Sequence, residues 1–183
     1  MKKNLIKFAA VIFCAMLTTV FTSCDKENNP NNNNNAASDD ALSVAGMAIS
    51  IKITDDLFSL LDLTVEYYDA DGKIKSEVMT SPVWHKDIEA NLPCKLGARV
   101  KMVAKAGAKP SGTIDTHNDI FYSACARSRN GKNQGEMVYN NSAAGAYNIP
   151  ASGLDSYIKN TNGEITSFLF EFNAKGEPKK LSW

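Results

Sequence analysis

The sequence predicts an all-β protein in which antiparallel strands form a sandwich or a barrel, with one or two short connecting helices. Beyond Ala41 the chain is a succession of short runs rich in Val, Ile, Thr, Phe and Tyr. Apolar and polar residues alternate within the runs, and turn residues separate them, which is typical of strands with one buried face. The runs are SVAGMAISIKI, LTVEYYD, KIKSEVMT, VWHKDIEANL, RVKMVAKAG, DIFYSACARS, EMVYN and ITSFLFEF.

The alternation is clear in the run RVKMVAKAG. Val100, Met102 and Ala104 fall on one face of the predicted strand, while Lys101 and Lys105 fall on the other. Successive side chains of a strand point to opposite faces, so one face is expected in the core and the other in water.

Two segments are predicted to be short helices that connect strands. The first follows Thr54, a favourable N-cap residue, and has two aspartates in its first turn. The second has Ser152 and Asp155 in the spacing of a capping box, and Gly163 lies just beyond its end.

Two hairpin turns are predicted at equivalent points of similar segments. Each follows an aromatic residue that ends a strand, and they cover Asp69–Gly72 and Asn173–Gly176. The glycines supply the positive φ that such turns require.

Composition limits the possible functions. The 183 residues carry 20 Lys and Arg against 20 Asp and Glu, so the formal net charge is zero. No basic patch with interleaved aromatic residues occurs, and a nucleic acid is therefore not expected as a partner. Residues 41–183 are long enough for one domain with its own core.

The first residues resemble the leader of a bacterial lipoprotein. Three lysines precede an apolar run from Phe8 to Phe21, which is the length of a signal-peptide core and too short for a transmembrane helix. The letters FTSC that end at Cys24 resemble a lipobox. This resemblance implies cleavage after residue 23 and acylation, for example with palmitate, of Cys24.

Residues 24–40 are predicted to be the lipidated cysteine and a disordered tether. The sequence DKENNPNNNNNAASDD has no apolar periodicity and cannot contribute to a core. A flexible chain of about 15 residues reaches roughly 20 Å, enough to hold a domain away from lipid headgroups. Asp25 and Glu27 resemble the surface-export signals of Bacteroidetes lipoproteins.

The whole pattern resembles small Bacteroidetes lipoproteins of unassigned function. The resemblance rests on the lipobox, the Asn-rich tether, DLTVEYYDADGKIKSE leading to Trp84, and LPCKLGARVKMVAK. It implies a β-sandwich of immunoglobulin-like or transthyretin-like kind. It also implies an outer-membrane location, with the domain on the cell surface or on the periplasmic face.

Two cysteines remain in the predicted domain. A disulfide between Cys94 and Cys125 would close a loop of about 30 residues and stabilise the fold by roughly 3–4 kcal/mol in the chain-entropy model. Alternatively the two residues are separate thiols that act as small apolar side chains.

Asp115, His117 and Asp119 are the sharpest candidate metal ligands. They alternate, so all three would project from one side of an extended segment. Imidazole with two carboxylates suits a divalent transition metal. The same residues are also common in ordinary solvated loops.

His85 is a second candidate ligand, for a metal or for haem. It follows Trp84, which we expect in the core because large aromatic residues of sandwiches are usually buried. Ligation would require a further donor, and the candidates are Met79, Met102, Met137 and His117.

The predicted function is binding or assembly without catalysis. The sequence contains neither a nucleophile elbow nor a phosphate-binding loop. The expected partner is a glycan or another envelope protein, and a metal- or haem-scavenging lipoprotein is the alternative. The polar loop with Arg127, Arg129, Lys132 and Asn133 is either a solvated turn or a site for sugars or acidic groups.

Overall fold

The computed structural model describes residues 39–144 and 147–183. These residues form strands joined by turns and two short helices. The strands are β1 (Leu42–Ile53), β2 (Leu61–Tyr68), β3 (Ile74–Val78), β4 (Val83–Asn91), β5 (Cys94–Ala104), β6 (Thr113–Asp115), β7 (Asn118–Ser128), β8 (Gln134–Ala144), β9 (Asn148–Pro150), β10 (Glu164–Phe172) and β11 (Pro178–Leu181). The helices are α1 (Asp55–Leu60) and α2 (Leu154–Asn160).

The strands form two main sheets in which every pairing is antiparallel. One sheet has the order β4-β1-β7-β8, and the other has the order β11-β10-β5-β2-β3. β6 and β9 pair with each other in a third sheet of two strands. The predicted all-β class is confirmed, and the two separate sheets make the fold a sandwich.

The core lies between the inner faces of the two sheets. Its side chains occupy alternate positions of the central strands, and Val100 and Met102 are buried as predicted, whereas Ala104 is exposed where β5 ends. Tyr122 of one sheet stacks on Phe168 of the other, with ring centroids 4.2 Å apart. Because both inner faces are apolar, the hydrophobic effect holds the sheets together.

The first predicted helix and its cap are confirmed. Thr54 Oγ1 accepts a hydrogen bond from the Leu57 amide (3.4 Å), and Leu57 is buried against the core. α1 thereby carries the chain from the first sheet into the second.

The predicted capping box of the second helix is wrong. Ser152 lies in a 3₁₀ turn (Ala151–Gly153), and Gly153 is the N-cap of α2, with no side-chain hydrogen bond at the cap. The 3₁₀ turn moves the helix start beyond the serine. Gly163 does end this connection, with φ of 68°.

Both predicted hairpin turns are also confirmed. Gly72 and Gly176 have φ of 73° and 80°. Each turn joins two antiparallel neighbours, β2 with β3 and β10 with β11.

The close pairing of β5 with β10 gives a testable prediction about stability. Gly97 lies opposite Leu169, and a Cβ at Gly97 would be 2.3 Å from the Phe168 carbonyl oxygen. We expect Gly97→Ala to lower the free energy of unfolding by about 1–3 kcal/mol, because the backbone of β10 would have to shift. Urea denaturation measures this change.

Gly46→Ala is the matched control, since Gly46 also lies inside a strand. Its added Cβ would meet only the Ile88 carbonyl oxygen, at 3.8 Å, which is an ordinary contact. We expect this variant to be as stable as the parent or slightly more so. Equal effects of the two substitutions would contradict the packing argument.

Candidate functional site

The three predicted metal ligands are engaged with one another at the entry to β7. The Asp115 carboxylate accepts a hydrogen bond from the His117 amide (2.8 Å), and His117 Nε2 lies 2.9 Å from Asp119 Oδ1. Within residues 39–144 and 147–183, no three His, Cys, Asp or Glu side chains are grouped as a metal site requires. Asp115, His117 and Asp119 thus make local contacts with one another where β6 passes into β7.

His85 and the methionines do not converge on one centre. His85 is exposed on β4, with Nε2 3.3 Å from Asp87 Oδ2, whereas Met79 and Met102 are buried in the core. Met137 lies on β8, at the opposite edge of the same sheet. Three strand spacings separate these edges, which is roughly 14 Å. One haem or metal ion cannot be bound by His85 and Met137 together.

Cys94 and Cys125 do not form the possible disulfide with each other. Cys94 packs partly against the core at the start of β5. Cys125 alternates along β7 with the buried Ala124 and Ala126, so its side chain points away from the core. The four-stranded sheet therefore separates the two sulfur atoms. Burial raises the pKa of Cys94 to about 11, so this thiol is protonated at neutral pH.

The polar loop between β7 and β8 binds the end of the predicted tether. Asn130 Nδ2 donates to Asp40 Oδ1, and Asn133 Nδ2 donates to the Asp40 carbonyl oxygen, both at 2.7 Å. Lys132 Nζ lies 3.7 Å from Asp40 Oδ1. Asp40, which the sequence placed in the tether, is therefore held by the folded domain.

The two loop arginines are engaged with the strand β4. Arg127 forms an ion pair with Glu89, and Arg129 Nη2 donates to Asn91 Oδ1 at 3.1 Å. The loop side chains predicted as a site for sugars or acidic groups thus have contacts within the domain.

On one side of the sandwich, which we call the closed side, a single carboxylate connects the two sheets. Glu77 of β3 accepts hydrogen bonds from Lys86 Nζ (2.7 Å), Tyr67 Oη (2.5 Å) and Trp84 Nε1 (3.0 Å). Trp84 and Lys86 belong to β4 in the other sheet, so Glu77 connects the two sheets. These donors lower the pKa of Glu77 to about 2, with Lys86 the largest cause. Trp84 is buried, as predicted.

The opposite side, which we call the open side, has two unpaired strand edges. β11 pairs only with Leu169–Phe172, and within the described residues no strand pairs with the outer edge of residues 164–168. β8 is the outermost strand of the facing sheet. The backbone groups along these edges are available to another extended segment.

Of the four edge strands, β8 has the least protection against pairing with another chain. β3 and β4 carry charged residues along their length, and the short β11 contains Pro178, Lys179 and Lys180. Charges and proline are the usual means of blocking an edge. β8 has eleven residues with one charge, Glu136, and it exposes about half of the Met137 and Tyr139 side chains.

A cavity of about 180 Å³, which we call the lateral cleft, opens between the sheets on the open side. Inward-facing residues of β7 form its floor, and β8, β10 and β11 form its walls. Its hydrogen-bonding side chains belong to Asn118, Tyr122, Asn140, Ser142, Thr166, Ser167 and Lys180.

Asn118 is the most unusual residue of the lateral cleft. It is only 5% exposed, and its Oδ1 has no hydrogen-bond partner within the described residues. Its Nδ2 makes a long contact (3.5 Å) with the Thr116 carbonyl oxygen. A buried acceptor without a donor costs about 1–3 kcal/mol. The fold thus leaves this acceptor without a donor among the described residues.

The lateral cleft was not predicted from the sequence, although the sequence contains a signal for it. Asn118 and Thr166 lie on the same faces of their strands as the buried apolar residues two positions further on, Ile120 and Phe168. A polar side chain is unexpected on such a face. In β8 the inward positions that follow Val138 hold Asn140 and Ser142. Polar residues at inward positions of three strands mark the side where the core is incomplete.

Comparisons with protein-family models, curated proteins and solved structures find no match to this chain. Function is therefore inferred from its own residues. Residues 1–38, with the predicted leader, Cys24 and most of the tether, lie outside the described residues. Neither helix in the described part of the chain has the length and hydropathy needed to cross a bilayer.

The contacts of Glu77 predict how stability depends on pH. Its pKa is 4.5 in an ordinary environment and about 2 in the fold, so the contribution of Glu77 is complete above pH 4.5 and is lost as the pH falls toward 2. We expect the free energy of unfolding of the parent to fall more steeply over this range than that of Glu77→Gln. Urea denaturation at a series of pH values measures both slopes.

Lys86→Met is the second variant for this experiment, because it removes the largest cause of the lowered pKa. Its slope between pH 4.5 and 2 should lie between those of the parent and Glu77→Gln. Parallel curves for the parent and Glu77→Gln would show that the carboxylate does not connect the sheets.

Proposed function

We propose that this chain is a lipid-anchored, non-enzymatic binding or assembly module of the outer membrane, and that it engages another envelope or surface protein. Cys24 carries the acyl chains, the residues after it form the tether, and the sandwich binds the partner. The sequence before Cys24 supports the anchor. Acyl chains contribute about 0.8 kcal/mol per buried CH₂, so several chains on one residue anchor a protein firmly.

The edge of β8 is the observation that supports a protein partner. An extended segment that adds to a sheet edge gains main-chain hydrogen bonds along its length, and alternate side chains give specificity. β8 provides a long edge with one charge, and Met137 and Tyr139 provide exposed apolar surface beside it. Tyr139 packs edge-to-face on Phe121, with centroids 6.0 Å apart, which steadies this surface.

The domain is proposed to face outward from the cell. Asp25 and Glu27 after the lipidated cysteine resemble surface-export signals, and the tether is long enough to clear the headgroups. Protease treatment of intact cells separates this orientation from a periplasmic one, in which the domain would be protected.

The anchor is tested by Cys24→Ser. We expect this variant to lose labelling by a palmitate analogue and to keep its leader, because the thiol that accepts the acyl chain is absent. Cys14→Ser is the matched control, because Cys14 lies within the predicted leader. This variant should be labelled at Cys24, as the parent protein is. Continued labelling of Cys24→Ser would contradict the proposed anchor.

Partner binding at β8 is tested by photo-crosslinking in intact cells. A photoreactive residue at Asn141, exposed on β8, should give discrete adducts of higher mass, whereas one at Val103, exposed on β5, should not. Met137→Lys combined with Tyr139→Lys should abolish the adducts, because charge at an edge opposes strand pairing.

Val103→Lys is the control substitution, because it adds charge at an equally exposed apolar residue away from β8. The adducts from Asn141 should persist in this variant. Three results would overturn the assignment: no adduct from Asn141, the same adducts from Val103, or adducts that persist with both lysines in β8.

A further inference from the structure

We propose that the lateral cleft binds one neutral sugar ring, such as the terminal unit of a glycan. The sugar would contact inward-facing residues between the sheets, whereas the proposed protein partner contacts the outer edge of β8. The two proposals can therefore fail separately.

The first argument is the buried acceptor. Asn118 lines the cleft and is 5% exposed, and its Oδ1 has no donor among the described residues. A ligand that places a hydroxyl at this oxygen supplies the missing hydrogen bond. A ligand without a donor would leave the acceptor unpaired, so the site discriminates in favour of hydroxylated molecules.

The second argument is the neutrality of the lining. Two amide and four hydroxyl side chains belong to the residues that line the cleft, and Lys180 is the only charged residue among them. A hydroxyl group can donate and accept at once, as a side-chain hydroxyl does, and so can satisfy both ends of an amide. Asn140 is held in place, because its Nδ2 donates to the Ile120 carbonyl oxygen and to Ser142 Oγ, both at 2.9 Å.

The third argument is size and shape. The cleft has a volume of about 180 Å³. One water molecule takes about 30 Å³ of the liquid, and sites for drug-sized ligands begin at about 300 Å³, so the cleft suits a single substituted ring.

Part of the cleft lining is apolar. Ile120, Tyr122 and Phe168 supply it, and the ring of Tyr122 is held by its stacking on Phe168. A sugar ring has one face rich in C–H groups and a rim of hydroxyls. The apolar and polar parts of the cleft lining match these two parts.

Saturation-transfer NMR on the full chain in detergent tests the proposal. The probes are glucose, galactose, mannose, fucose and N-acetylglucosamine, each at millimolar concentration. We expect at least one sugar to receive saturation from the protein, with Kd in the millimolar range that is measurable for a single ring. The signal should be lost in Asn118→Leu, which removes the acceptor, and in Thr166→Phe, which fills the cleft.

Asn141→Leu is the matched control, because it removes the same side chain from the exposed outer face of β8. Circular dichroism checks the fold of each variant, and Thr166→Phe decides the result if Asn118→Leu does not fold. Saturation of the parent and Asn141→Leu, with loss in the cleft variants, supports the proposal. Absence of saturation for every sugar, or saturation that persists in folded Thr166→Phe, overturns it.

Discussion

The structure depends on the burial of one face of each sheet against the other. The central strands therefore supply apolar side chains at alternate positions, and the stacking of Tyr122 on Phe168 shows how closely the two faces meet. The polar side chains are therefore located on the outer faces and the lateral edges of the sheets. Apart from the lateral cleft, the space between the sheets is filled by apolar side chains.

The two lateral sides of the sandwich meet this requirement in different ways. On the closed side, Glu77 accepts hydrogen bonds from both sheets. The edge strands there, β3 and β4, both carry charged residues. On the open side, β11 pairs with only part of β10, and β8 has a long edge with one charge. The closed side maintains the spacing of the sheets, so the open side can remain accessible without loss of the fold.

The open side combines two surfaces with different chemistry. The outer edge of β8 offers backbone hydrogen bonds and exposed apolar side chains, which suit an extended protein segment. The lateral cleft offers neutral polar groups around the buried Asn118 oxygen, which suit a hydroxylated ring. Both surfaces therefore lie on the same side of the sandwich.

The sequence by itself determined the eight longer strands, the two hairpin turns and one helix cap, because these depend on neighbouring residues, whereas the short β6, β9 and β11 were not predicted. The alternation at Val100 and Met102, the glycines of the two hairpins and the cap at Thr54 were all readable from local patterns. Even there, an inserted 3₁₀ turn displaced the expected cap at Ser152.

Only the tertiary structure decided which residues meet across the chain. Strand order places Cys94 and Cys125 on different sheets, makes β8 an edge, and leaves Asn118 facing a gap in the core. These facts follow from pairings between strands far apart in sequence, such as β1 with β7 and β5 with β10. A local pattern shows which face of a strand is buried, but it contains no information about which strand will be its neighbour.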